Sequence, residues 1–169
     1  MPSQASTKRS DIRKTAGVAL LVVAAGLYLW RQVSGSSNPG ERGFFYDESA
    51  GSLFYGARTA VPPIRGIDGP TEDGFRAVVY SSTGDPKDKA SWRVAYLEKC
   101  SPELKAKMEA AQKSGEALAM GRMETMAHRF VRRVEETDWH PMSEPGIETI
   151  LNAWAVPGPD GKTPVLCTP

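Results

Sequence analysis

The sequence predicts an α+β fold behind an N-terminal transmembrane helix: a small, mostly antiparallel sheet with one main helix and a shorter C-terminal helix. Three observations predict it. An uncharged apolar run, Ala16 to Trp30, stands between basic residues near the N-terminus. Aromatic and β-branched runs then recur between glycine- and proline-rich turns. A Ser101-Pro102-Glu103 helix start comes after them.

The apolar run AGVALLVVAAGLYLW is 15 residues long. As a helix it covers about 22 Å, short of the hydrocarbon core of a bilayer. Thr15 and Gln32-Val33 extend it, and Lys14 and Arg31 can reach the headgroups along their aliphatic stems. Tyr28 and Trp30 stand beside Arg31, where interfacial aromatics belong. Lys8, Arg9, Arg13 and Lys14 precede the run, which keeps the N-terminus cytoplasmic and sends the rest of the chain to the exoplasmic or periplasmic side of the cell membrane. Two other readings compete: a buried core helix, and a signal peptide cleaved near Val33-Ser34-Gly35. The run has neither the adjoining cysteine of a lipoprotein nor the preceding glycine of a prepilin.

Composition fits a folded domain with short elements. Apolar residues make up 40% and charged residues 24%, outside the disordered range, while 16 glycines and 13 prolines favour loops. The net charge of +1 hides an asymmetry, because the first 14 residues alone carry about +3. The chain beyond the apolar run is mildly acidic and lacks the basic face that a phosphate backbone requires, so no nucleic-acid partner is expected.

These features divide the chain into a basic tail at 1–14, a single span at 15–33, a flexible stalk at 34–43, an exported α+β domain at 44–155 and a proline-rich tail at 156–169. Phe44-Phe45-Tyr46 and Leu53-Phe54-Tyr55 read as a β-hairpin, with Gly51 able to supply a positive φ at its turn. Val61-Pro62-Pro63-Ile64 must run extended. Phe75 to Tyr80 and Trp92 to Leu97 are the next strands. Ser101 caps a main helix near 102–118, Pro102 fits its first turn, and Glu103 meets its positive end. Residues 122–135 suit helix or strand, since Met123, Met126, Phe130 and Val134 have helical spacing while Phe130 to Val134 also reads as a strand. Ile147, Ile150, Leu151 and Trp154 give a shorter helix near 144–154.

FFYDESAGSLFYGARTAVPPI, then FRAVVYS, AYLEKCSPE and VRRVEETDWHPMSEPG, together resemble a family of small exported, membrane-anchored proteins of planctomycete-type bacteria. The resemblance runs from Phe44 into the tail. It brings no catalytic residue to transfer, and it implies strand-like structure for Arg129 to Val134 and at Trp139.

Candidate sites are few. His128 and His140 are the only histidines, and no set of ligands has zinc spacing, so no metal or other cofactor is expected. The chain contains no nucleophile elbow, phosphate-binding loop or dinucleotide fingerprint. Cys100 and Cys167 can form a disulfide outside the cytoplasm, worth about 4 kcal/mol in the chain-entropy account, or remain two separate thiols. Tyr46, Phe54 and Tyr55 offer an aromatic interaction surface, although such rings more often fill cores. Arg129, Arg132 and Arg133 offer a basic one for a carboxylate or lipid headgroup, although Glu135 and Glu136 come directly after and neutralise it. The expectation is a membrane-tethered interaction or assembly module of the bacterial envelope, with a protein partner. The alternatives are an envelope hydrolase or redox enzyme using His128, His140 or Cys100, and a ligand-sensing domain.

Overall fold

The computed structural model describes residues 41–158 and 161–169. The expected tail at 1–14, the span at 15–33 and most of the stalk lie outside the described residues. Among the described residues no helix is long and apolar enough to cross a membrane.

The domain is α+β, as the alternating runs predict. Its first hairpin joins β1 (Arg42–Asp47) to β2 (Ser52–Ala57), with Phe45 opposite Phe54 and Gly51 at φ 63° in the turn. β1 starts before the expected boundary at Phe44, so Arg42 and Gly43 belong to the sheet and not to the stalk. The chain then passes the double proline, where Ile64 and Gly74 exchange backbone hydrogen bonds of 2.9 Å each way. β3 (Gly74–Ser81) and β4 (Trp92–Cys100) form the antiparallel centre, with a register shift between Val78 and Val79.

Ser101 turns β4 into helix α1 (Pro102–Ser114). Its side chain accepts from the Leu104 amide at 3.1 Å, and Gly115 ends the helix at φ 72°. The helix therefore stops short of the expected 118, because its last carbonyls are closed by a left-handed cap. The ambiguous stretch divides: α2 (Arg122–Ala127) is helical and β5 (Arg129–Arg132) is a strand pairing with β4. β6 (His140–Pro141) extends the sheet beyond β5. The expected helix near 144–154 shrinks to α3 (Glu148–Leu151) and a 3₁₀ turn at Ala153–Ala155. The end of the proline-rich tail joins the sheet, because β7 (Val165–Leu166) pairs with the end of β3 and the Cys167 amide donates to the Val79 carbonyl at 2.8 Å.

The order is β2-β1-β3-β4-β5-β6, antiparallel throughout, with β7 beside β3. Alternation sorts side chains onto two faces. Phe44, Phe75, Ala77, Val79, Leu97 and Cys167 form one core cluster. Val61, Cys100 and Leu104 form another, where α1 lies down on the sheet. Phe45, Leu97, Leu104, Val79 and Val131 are fully buried, each contributing about 1.5–3 kcal/mol of hydrophobic stabilisation.

Candidate functional site

The most developed site grows from the end of β4. Leu97 points into the core, so period-two alternation sends Lys99 to the same face, an unusual place for a lysine. Phe130 pairs across from Lys99 and Arg132 across from Leu97. The Lys99 ammonium lies 4.3 Å from the Trp139 ring centroid and 6.0 Å from that of Phe130. The Arg132 guanidinium lies 4.8 Å from Trp139 and 5.9 Å from Phe75, whose ring meets Trp139 edge-on at 4.8 Å.

The two cations differ in how they are satisfied. Arg132 is 3% exposed, pairs with Glu48 and donates to the carbonyls of Val134 and Glu136. Its Nη groups are thus committed to holding the Arg133 to Glu136 turn and the β1–β2 loop. Lys99, among the described residues, has aromatic rings against its ammonium and no carboxylate or carbonyl within hydrogen-bonding reach. Burial, and then the charge of Arg132, push its pKa down, while Glu48 opposes them from a distance. Beside it opens a cavity of about 410 Å³, walled by Lys99, Phe130 and Trp139 and by Pro63, Pro102 and Lys105. Lys105 is already engaged, with Glu72 at 3.1 Å and with the Pro63 carbonyl.

On the α1 side a narrower cleft of about 280 Å³ is bordered by Arg58, Arg76, Glu98, Cys100 and Arg129. Two of its arginines are engaged. Arg76 donates to the carbonyls of Arg58 at 2.9 Å and Ala60 at 2.6 Å and stacks 5.0 Å over Phe45, while burial lowers its pKa. Arg129 pairs with Glu98 at 3.0 Å.

A third grouping sits where the β1–β2 turn meets the loop before β3. Ligand oxygens of Asp47, Asp68 and Asp73 lie within 4.8 Å of one another, and all three acids are in hydrogen-bond reach of the single Ser49 hydroxyl. One hydroxyl has one proton to give, so most of the carboxylate repulsion must be met elsewhere. At Asp47 it is met first by the Ala50 amide at 2.9 Å and also by the Ile67 amide at 2.6 Å. These hold the carboxyl below its ordinary pKa against the opposing effect of burial.

The residues singled out from sequence are scattered. Tyr46 packs against the core cluster of Phe44, and the Phe54 ring lies 5.7 Å from Phe45 on the opposite face. Tyr55 is 46% exposed and tilts against Phe44 at 5.6 Å. The three arginines make no common patch: alternation puts Arg129 and Arg132 on opposite faces, and Arg133 bonds Glu136 at 2.7 Å and the Thr149 carbonyl at 3.1 Å. His128 Nδ1 meets the Ser101 hydroxyl at 2.9 Å and His140 Nδ1 meets Glu144 at 3.2 Å. The Cys100–Cys167 bridge is not formed. Both thiols are free and buried, one in the α1 cluster and one in the opposite cluster, and burial raises both pKa values.

Sequence reasoning missed Lys99, Trp139 and the aspartate grouping. The signal for Lys99 was present in the strand WRVAYLEKC, where a lysine two residues after Leu97 had to share its face. Nothing local signals the aspartates, which come together through strand pairing across the intervening loop. Comparison of the chain with protein-family models, curated proteins and solved structures finds no match.

Proposed function

We propose that this chain is a membrane-tethered interaction module of the bacterial envelope, anchored by residues 15–33 with its N-terminus cytoplasmic and its folded domain exoplasmic. The basic residues before the apolar run support the orientation. The observation that carries the binding role is the outer edge of β2. The Arg58 amide donates to the Glu41 carbonyl at 2.7 Å, and in the register of the hairpin this alternation aims the amides of Leu53, Tyr55 and Ala57 away from β1. Among the described residues β2 ends the sheet, and its six residues, SLFYGA, include no charge and no proline. Monomeric proteins normally guard such an edge with lysine, proline or a bulge. An unguarded edge beside exposed Tyr55 is suited to receive an extended segment of a partner protein as an added strand.

The test is recovery of partners from solubilised membranes by the tagged full-length chain. Tyr55→Pro removes an outward amide, and Ala57→Lys places a charge at the edge, while both leave the β1–β2 hydrogen bonds in place. Each should abolish partner recovery with the circular dichroism spectrum unchanged, whereas His128→Ala and His140→Ala should not. Undiminished recovery by both edge variants would remove the basis for the proposal. A partner that proves to be a second copy of this chain would support it as self-assembly.

A further inference from the structure

We propose that the cavity beside Lys99 binds a small carboxylate that carries a flat apolar body. The ammonium is the starting point. It is held against Trp139 and Phe130, beside the guanidinium of Arg132, and among the described residues the acid that bears on its charge, Glu48, is bound to Arg132. A lysine on a core-facing strand position loses hydration, and cation–π contact alone replaces only part of it. A carboxylate entering the cavity supplies the missing counter-charge and a charge-assisted hydrogen bond.

The walls decide the rest of the ligand. Phe130 and Trp139, with Pro63 and Pro102, line a space of about 410 Å³, within the range that holds small molecules. An aromatic or alicyclic body fits such walls, whereas a bulky polar body would lose hydrogen bonds on entry. Charge favours a monoanion. Lys105 spends its charge on Glu72, which also borders the cavity, so one ammonium is left over. The N-terminus of α1, at Ser101 and Pro102, adds a partial positive charge at the same mouth. Phosphate, with a second negative charge and no apolar surface, is a poorer match.

Sodium phenylacetate, its neutral isostere phenylacetamide and sodium phosphate separate these terms in calorimetric titration of the full-length chain. Phenylacetate should bind with Kd near or below about 1 mM. Phenylacetamide should bind at least about tenfold more weakly, and phosphate weaker still. Lys99→Met should cost phenylacetate at least about tenfold in affinity, and Lys99→Arg should restore most of it. The acid-against-amide comparison needs no variant and stands even where a substitution unfolds the domain. Equal affinity for acid and amide, no binding of phenylacetate up to about 10 mM, stronger binding of phosphate, or unchanged affinity in a folded Lys99→Met protein would each overturn the proposal.

Discussion

Asp47 has no exposed surface, yet its carboxyl is held in the ionised form by the amides of Ala50 and Ile67. Its pKa lies below the ordinary 3.8, so the unfolded chain takes up this proton first as the pH falls. The stabilisation is complete above 3.8 and fades as the pH drops through the lower native value. Asp47→Asn keeps the size but gives up the charge and turns one acceptor into a donor facing an amide. The variant should have a clearly lower urea midpoint at pH 7, and the gap to the native protein should narrow near pH 3. An equal gap at both values would mean that shape, and not charge, is what Asp47 supplies. Arg132 is the opposite kind of residue. Its charge was visible in the sequence, but its burial was not, because its acidic partner Glu48 is 84 positions away.

At the scale of elements, α1 shows how much local chemistry can fix. Ser101, Pro102 and Gly115 set its two ends without help from elsewhere, and Leu104 alone among its residues is fully buried against the sheet. Ser101 does more than cap. Its amide donates to the His128 carbonyl at 2.8 Å and its hydroxyl meets His128 Nδ1, which ties the helix start to the beginning of β5. Ser101→Ala should therefore cost at least the usual cap loss of about 1 kcal/mol, measured by urea unfolding, and Leu104→Ala should cost about 2–5 kcal/mol. A Ser101→Ala loss well below about 1 kcal/mol would show that water replaces both contacts. The hairpin, β3, β4 and α1 were legible because each carries its own periodicity and end signals. β6 and β7 were not, since elements of two residues are defined by the strands they meet and carry too few positions for a pattern, while α3 was legible as a helix but not in its length. The same limit applies to the candidate site. Phe130 and Trp139 read as ordinary strand aromatics; the pairing of β4 with β5 sets Phe130 opposite Lys99, and the irregular segment between β5 and β6 returns Trp139, which is in no strand, to the same ammonium.

For the whole domain the decisive feature is that β7 occupies the edge of β3 beyond β1. Pro164 and Cys167 are buried, and β7 covers the end of β3 next to the cluster of Phe44, Phe75 and Val79. Removing residues 162–169 should lower the melting temperature by at least about 10 °C, as loss of a few kcal/mol does in a domain of this size. A shift of only a degree or two would mean that β7 merely decorates a finished core. If the loss is large, geometry dictates timing. Synthesis delivers the chain from its N-terminus, so β1 to β5 can assemble while the edge of β3 at Tyr80 and Ser81 still awaits β7. Until Cys167 arrives to bond Val79, that edge is open to whatever extended segment it meets first. The nascent domain is therefore most in need of a chaperone in the interval before β7 is released, and a chain stalled or cut ahead of β7 would remain in that vulnerable state.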